Sequence, residues 1–234
     1  MNNWLKHCQD WLLPRSCVLC AGDAGTLDLC RWCLSTLPRI VHGCEGCGIP
    51  IASGDLCAAC LRGPSLFDRV CIPYRYEPPL SSLILRLKFQ RRVEMAAPLG
   101  AVLVDSMRAR PAPPPDVIVP VPLHAARLRQ RGFNQALEIA RPLSKSLGLP
   151  LAPRLVKRLR NTAAQSSLAD PVARRGNVRG AFEVNKERCA RIAHAAIVDD
   201  VVTTGATVNE IARTLRRAGI ARVDLWSLAR VTVD

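Results

Sequence analysis

Four Cys-x-x-Cys pairs stand close together near the start of this sequence. They are Cys17/Cys20, Cys30/Cys33, Cys44/Cys47 and Cys57/Cys60. The last two pairs repeat the first two at a constant offset of 27 residues, so the pattern CxxC-x9-CxxC occurs twice. Each CxxC turn brings two thiolates to one point, and two such turns complete the tetrahedral four-thiolate site that Zn²⁺ prefers. The repeat therefore predicts two structural zinc sites in tandem.

Structural zinc is the interpretation that we favour over redox dithiols and over an iron–sulfur cluster. The apolar content of this region is thin for an independent core, so bound metal would supply much of its folding free energy. Consecutive pairing, in which each repeat completes one site, is the simplest ligand assignment, and interleaved pairing stays open. Cys8, Cys71 and Cys189 fall outside the repeat and are interpreted as ordinary buried or free thiols.

The composition limits the class of protein. Of the 234 residues, 49% are hydrophobic, which allows a packed core and excludes global disorder. Aromatic residues make up 4%, which argues against a base-stacking surface as the main binding device. No stretch approaches the roughly 18 apolar residues of a membrane-spanning helix, and the N-terminus has no apolar run of signal-peptide length. We therefore expect a cytoplasmic protein, with a peripheral position at the inner membrane as an alternative.

Positive charge is concentrated in one part of the chain. The formal net charge is +14, and residues 120–190 contain 14 Lys or Arg against 4 Asp or Glu, a net +10. Such a patch attracts polyanions, which include nucleic acid, an acidic membrane surface and a multiply phosphorylated small molecule. The alternative is a solubilising face, which the uneven distribution of the charge makes less favoured.

Two parts are predicted: a helix and double zinc ribbon over residues 1–66, and an α/β domain over residues 67–234. Apolar side chains at helical spacing over residues 3–13 indicate a helix that packs on the rest of the protein, with a membrane-surface helix as the weaker alternative. Beyond residue 67, strands are expected at 70–76, 116–121, 195–198 and 222–231. Helices are expected at 80–89, 94–108, 134–147 with a kink at Pro142, and 208–218. This alternation predicts a mostly parallel sheet covered by helices on both faces.

The stretch AAIVDDVVTTGATV, residues 195–208, is the most informative chemically. An apolar strand ends in Asp199 and Asp200, and a short turn rich in threonine leads into a helix. The start of a helix presents N–H groups and a positive dipole end that suit a phosphate, whereas the two carboxylates are placed to accept hydrogen bonds from a diol. A phosphate next to a vicinal diol indicates a ribose 5-phosphate. The alternative is a threonine-capped helix after a buried strand, with the acids as surface charges.

These residues resemble the phosphoribosyl diphosphate (PRPP) motif of type I phosphoribosyltransferases. Together with VPVPLHAARLRQRGFNQA at 119–136, KRLRNTAAQSSLADPVARRGNVRGAF at 157–182 and the tandem CxxC module, the chain resembles the competence protein F (ComF) family over essentially its full length. The resemblance implies a type I phosphoribosyltransferase-like sheet preceded by a double zinc ribbon. It also implies a link to DNA uptake in natural transformation or to the use of extracellular DNA.

The resemblance also implies residue roles. The residues that it places around the ribose and its 5-phosphate are Asp199, Asp200, Thr203, Thr204, Gly205, Ala206 and Thr207. Those that it places at the diphosphate are Pro122, Leu123, His124, Arg127 and Arg131. A mobile lid over residues 157–180 would supply a catalytic cation to the leaving diphosphate, for which Lys157 or Arg158 is the candidate. The surplus cations of that segment are candidates for binding DNA, and they are Arg160, Arg174, Arg175 and Arg179.

Two functions remain open from the sequence. In the first, PRPP binds with Mg²⁺ and the protein transfers phosphoribosyl to an unidentified acceptor with release of diphosphate. In the second, the protein is a non-catalytic adaptor that keeps the PRPP fold and binds single-stranded DNA or protein through its basic segment and its ribbon. Expected partners are PRPP, single-stranded DNA and other DNA-uptake proteins at the inner face of the membrane.

Overall fold

The computed structural model describes residues 15–24, 27–109, 112–161 and 178–232. The helix expected over residues 3–13, Cys8, and most of the expected lid with Arg174 and Arg175 lie outside the described residues. Among the described residues, no helix is long and apolar enough to cross a membrane.

Strands and helices alternate after the ribbon region, as the sequence predicts. The strands are β1 (Arg69–Cys71), β2 (Tyr74–Arg75), β3 (Val117–Pro120), β4 (Val156–Arg158), β5 (Phe182–Val184), β6 (His194–Val202) and β7 (Arg222–Arg230). The α-helices are α1 (Arg31–Ser35), α2 (Ala58–Leu61), α3 (Leu80–Phe89), α4 (Ala96–Arg108), α5 (Ala125–Arg131), α6 (Gln135–Leu147), α7 (Lys186–Cys189) and α8 (Ala206–Arg217). A 3₁₀ turn at Val93–Met95 leads into α4.

A parallel sheet lies at the centre of the fold. Its strand order is β1-β7-β6-β3, and β2 also pairs with β7. Strands β4 and β5 form a separate antiparallel pair. Because all strands of the central sheet are parallel, β3 and β6 end at the same edge, and the loops after Pro120 and Val202 emerge there together.

Helices cover both faces of the sheet. Side chains of β6 alternate between the two cores: Ala196 and Val198 pack with α3, α4 and α6, whereas Ala195 and Ile197 pack with α8. The buried strands have few polar positions because both of their faces are covered. The predicted fold class, a mostly parallel sheet flanked by helices and preceded by a tandem four-cysteine module, is confirmed.

Most predicted elements occur, although β6 extends beyond the strand expected over residues 195–198 and covers His194–Val202. The strand expected over residues 70–76 is divided into β1 and β2, because Pro73 has no N–H for the ladder and its carbonyl accepts from Ile40 N (2.8 Å) instead. The helix expected from residue 94 begins as a 3₁₀ turn. Helix α6 continues through Pro142, which packs on Gly100 of α4, where a Cβ would lie 2.3 Å from Pro142 Cγ; the kink expected there stays a prediction. The domain boundary at 66/67 stays a prediction.

Candidate metal centres and active site

Each half of the tandem repeat brings four sulfur atoms together. One cluster contains Cys17, Cys20, Cys30 and Cys33, the other contains Cys44, Cys47, Cys57 and Cys60, and within each cluster the Sγ atoms lie within 4.8 Å of one another. A tetrahedral site with Zn–S bonds of about 2.3 Å has S···S edges of about 3.8 Å. The sulfurs of Cys20 and Cys30 are 3.7 Å apart, and those of Cys47 and Cys57 are also 3.7 Å apart. Consecutive ligand pairing is therefore confirmed, and both clusters fit a structural zinc ion.

The local backbone prepares these sulfurs for metal. Cys33 N donates to Cys30 Sγ (3.4 Å), and Cys57 N donates to Cys44 Sγ (3.2 Å). Hydrogen bonds to a thiolate are charge-assisted, so they favour the deprotonated form that zinc binds. A Cβ at Gly46 would lie 3.0 Å from the sulfur of Cys60, which explains a glycine inside the second cluster.

Both ribbons pack on the α/β part of the protein. Cys17, Leu29 and Leu37 belong to the same buried cluster as the side chains of α3 and α4. Arg86 of α3 donates from Nη1 to the carbonyl of Val18, between the first two cysteine ligands (2.9 Å). The first cluster is therefore anchored through its backbone as well as through apolar contacts.

Arg230, the last residue of β7, connects the second cluster with the end of β6. Its side chain is buried, and its Nη1 donates to the carbonyl of Val202 (2.9 Å). Burial lowers the pKa of Arg230, and the thiols of Cys47 and Cys57 in the second cluster act in the opposite direction. Because Zn²⁺ with four thiolates carries two net negative charges, Arg230 would supply opposite charge inside the protein. Val202 directly precedes Thr203, so this arginine ties the second cluster to the strand-end turn.

Two adjacent carboxylates, Asp199 and Asp200, lie within β6 shortly before its last residue, Val202. Asp200 is buried, and its Oδ2 lies 2.7 Å from Nζ of Lys88, on the last turn of α3. Asp199 Oδ1 accepts from Asp200 N (2.9 Å). Burial, followed by the charge of Asp200, raises the pKa of Asp199 well above its usual range, and the ammonium of Lys88 acts in the opposite direction. A ligand that donates O–H hydrogen bonds would offset the free-energy cost of ionising this poorly solvated carboxyl group.

The turn after β6 leads directly into α8. Gly205 adopts a left-handed conformation (φ 76°) as the N-cap and provides no side-chain cap. Thr204 Oγ1 accepts from Ala206 N at a long 3.4 Å. The positive end of the 12-residue helix therefore lies within a few residues of the two carboxylates, in the loop–helix arrangement that suits a phosphate.

Three arginines form a second charged group, and one of them, Arg158, interacts electrostatically with Asp199 at this sheet edge. Arg158 on β4 is 7% exposed, and its guanidinium carbon lies 5.5 Å from the ring centroid of Phe182. Burial, followed by the charge of Arg127, lowers the pKa of Arg158 to about 10, although the charge of Asp199 acts in the opposite direction. Burial and the charge of Arg131 also lower the pKa of Arg127. These guanidinium groups repel one another, so a bound anion would stabilise them.

The other predicted site residues have varied positions. Lys157 is exposed, whereas its neighbour Arg158 is buried, because successive residues of β4 face opposite sides. His124 is the N-cap of α5, and its Nδ1 accepts from Ala126 N (3.2 Å). Pro122 and Leu123 connect β3 to that cap.

Arg160 lies shortly before residues 162–177 of the expected lid, and Arg179 lies shortly after them. Arg160 Nη2 donates to the carbonyl of Arg179, and Glu210 of α8 accepts from Gly180 N (2.8 Å). The base of the expected lid is therefore fixed to the rest of the domain. The functional roles assigned to all these residues stay predictions.

Sequence reasoning missed Lys88 and Arg230. A signal existed for Lys88, because it continues the buried face of α3 four residues after Ile84, and a lysine on an apolar face requires an acidic partner. Arg230 ends a buried strand without a polar neighbour that would mark it. Its partners, Val202 and Cys47, are distant in sequence, so no local pattern could identify them.

We predict two tightly bound zinc ions per chain, one of which depends on Arg230. Replacing Arg230 with Met removes a charged donor beside the second cluster, so zinc affinity there should fall by about 10- to 100-fold. The measurement is zinc release to a competing chelator, followed with a colorimetric indicator. Wild-type protein should lose two ions slowly, and Arg230→Met should lose one quickly and one slowly.

Arg75→Met is the matched control, since Arg75 pairs with Arg230 in register but is exposed. This variant should keep both ions as the wild type does. Fast loss of both ions from Arg230→Met, or one ion in the wild type, would contradict the prediction.

Comparison with known proteins agrees with this architecture. The double zinc ribbon domain family matches residues 8–61. The chain is 40% identical to the DNA utilization protein YhgH of Salmonella typhi over 225 residues, which cover 93% of this chain and 98% of that protein. It is 34% identical to competence protein F of Haemophilus influenzae, over 92% of this chain and 96% of that protein. It is also 29% identical to competence protein ComFC of Bacillus subtilis, over 86% and 84%. With such identity across nearly the full length of its relatives, the chain belongs to the competence protein F (ComF) family.

Proposed function

We propose that this chain binds PRPP with Mg²⁺ beyond the ends of β3 and β6. It transfers the phosphoribosyl group to a nitrogen acceptor as its part in DNA uptake or utilization. One observation carries the proposal: the half-buried Asp199 beside the buried Asp200, a glycine-initiated helix and a group of mutually repelling arginines are associated with one sheet edge. The names of the relatives, competence protein and DNA utilization protein, support the biological role.

The two charge groups match the two ends of PRPP. Asp199 accepts hydrogen bonds from the ribose hydroxyls, and the turn at Thr203–Ala206 with the start of α8 receives the 5-phosphate. Arg127, Arg131 and Arg158 receive the diphosphate, whose oxygens accept two N–H bonds from a guanidinium group.

In the proposed reaction, the bond between C1 of the ribose and the diphosphate oxygen breaks, and its electron pair leaves with diphosphate. A C1–N bond forms to the acceptor, whose displaced proton passes to solvent. Bound Mg²⁺ would reduce the charge of the leaving diphosphate. Arg158 stabilises the developing negative charge, because a guanidinium in a site with little water interacts strongly with an anion.

Lys88 holds the carboxylates in place. Its ion pair with Asp200 removes one charge from the pair, so that Asp199 remains available to the ligand. The protein would act in the cytoplasm, beside other DNA-uptake proteins at the inner face of the membrane.

Asp199→Asn should remove most of the stabilisation by PRPP·Mg²⁺. For the wild type, PRPP at 100 times its Kd should add about 2.7 kcal/mol to the free energy of unfolding. The variant keeps the Lys88–Asp200 ion pair and should fold, but an amide is a weaker acceptor for the diol. Thermal unfolding with and without ligand measures the effect. The control Asp224→Asn changes a buried carboxylate near the start of β7 and should retain the ligand effect.

We also expect Asp199→Asn to change how the free energy of unfolding depends on pH in the absence of ligand. Because the folded pKa of Asp199 is raised, its protonation stabilises the fold at low pH, and this contribution is lost as the pH rises through the folded pKa. Asp199→Asn cannot ionise, so its free energy of unfolding should fall less between acidic and alkaline pH. For the ligand experiment, stabilisation of Asp199→Asn by PRPP·Mg²⁺ to the same extent as the wild type would place the PRPP site elsewhere.

Arg158→Gln should weaken PRPP binding by about 10- to 100-fold, because a charge-assisted hydrogen bond contributes about 1.5–3 kcal/mol. Lys157→Gln is the control, since it removes one positive charge from the exposed side of the same strand and should change affinity little. Titration calorimetry with PRPP·Mg²⁺ gives the affinity. Diphosphate release in the presence of bases, nucleosides or single-stranded DNA then tests transfer. An equal effect of both variants would show a non-specific charge effect.

A second candidate is the adaptor function, favoured by the exposed arginines Arg160 and Arg179. We predict that single-stranded DNA binding weakens with salt at a log–log slope of about −0.7 per neutralised phosphate. Arg174→Ala with Arg175→Ala should flatten the slope by about 1.4 and spare PRPP binding. Arg141→Ala, an exposed arginine paired with Glu138, should leave the slope unchanged. Salt-dependent binding without diphosphate release supports the adaptor function, and no binding at low salt excludes it.

A further inference from the structure

A large exposed aromatic side chain follows Lys88. Phe89 ends α3 and is 68% exposed, although it adjoins the lysine that pairs with Asp200. A single exposed apolar residue needs no explanation by itself. This ring, however, is held in a defined polar environment at the rim of the proposed active site.

Arg131 of α5 lies against Phe89, with its guanidinium carbon 5.5 Å from the ring centroid. Nη1 of Arg131 also donates to Oε1 of Gln135 (2.8 Å), so the guanidinium is held at two points. Gln135 is 3% exposed, and its Nε2 donor has no hydrogen-bond partner among the described residues. A buried donor without a partner is costly unless a ligand or water completes it.

The chain after Phe89 is fixed to the same helix. Arg91 Nη2 donates to the carbonyl of Gln130 (3.1 Å), and Arg91 has a left-handed backbone (φ 55°), which is unfavourable for a residue with a side chain. Arg131, which packs on the ring, is the last residue of α5, and Arg91, two residues after the ring, is hydrogen-bonded to the same helix.

We propose that Phe89 and Arg131 form a stacking site for one unpaired base of single-stranded DNA. An aromatic ring offers its π-face to any base, and the adjacent arginines match the phosphates on either side. The largely exposed ring suits a polymer that passes over the surface. The stacking site itself does not depend on the proposed function. Only its role rests on that function, and this role is to bring a base of the acceptor DNA strand next to Asp199 and Asp200.

The test uses the full-length zinc-loaded protein and fluorescence anisotropy with a labelled 12-residue oligothymidine. The second probe is an abasic oligomer of equal length, which has the same phosphates without bases. Phe89→Ala should bind oligothymidine about 5- to 100-fold more weakly, which corresponds to about 1–3 kcal/mol. Its affinity for the abasic oligomer should not change. Phe89→Trp should restore base-dependent binding.

Leu61→Ala is the matched control, since Leu61 is 71% exposed and lies in the second ribbon. It should bind both probes as the wild type does. Equal affinity of the wild type for both probes, or equal loss on both in Phe89→Ala, would overturn the stacking site. Tighter binding of an oligouridine would overturn its assignment to DNA. The PRPP thermal shift is measured separately, so failure of the PRPP site in the wild type is distinguishable from failure of the stacking site.

Discussion

The ion pair between Lys88 and Asp200 is the contact on which the candidate active site depends. A strand buried on both faces cannot end in two carboxylates without a compensating charge. Lys88 supplies that charge at 2.7 Å, and it requires the last turn of α3 to lie against the end of β6. This position also brings Phe89 to the rim of the site. Because Lys88 neutralises Asp200, the neighbouring Asp199 remains the carboxyl group that a ligand can satisfy.

The zinc clusters also support the elements that form the candidate active site. Cysteine ligands of the first cluster are part of the core formed with α3 and α4, so metal there supports the helix that carries Lys88. The second cluster reaches the site through Arg230, whose guanidinium donates to Val202, one residue before the threonine turn. A tetrathiolate zinc centre holds two negative charges away from water, and a buried arginine beside it lowers that cost. Metal binding and the shape of the turn are therefore physically connected.

Periodic and local patterns predicted much of this arrangement. The 27-residue repeat predicted both four-cysteine clusters, and apolar spacing predicted α3 with both of its ends. The carboxylate pair was expected directly after a strand over residues 195–198, whereas β6 continues through it to Val202 before the turn into α8. The antiparallel pair β4–β5 was missed, because each strand has only three residues and β4 lies at the start of a basic segment that resembles a loop. Contacts between residues distant in sequence, such as Arg230 with Val202, leave no local pattern, so only the folded chain reveals them.

Burial divides the positive charge of residues 120–190 into two sets with different requirements. Arg158 is buried and Arg127 and Arg131 are half-buried, so their mutual repulsion is poorly screened, and an anion of fixed shape relieves it. Arg129, Arg160 and Arg179 are exposed, where salt screens each charge and a single contact contributes little. Exposed charges gain affinity only when one ligand meets several of them together, as a nucleic acid backbone does. On the proposed function, a small phosphorylated ligand would use Arg127 and Arg158 and a polymer would use the exposed arginines, and Arg131, which packs on Phe89, is the one that both would contact.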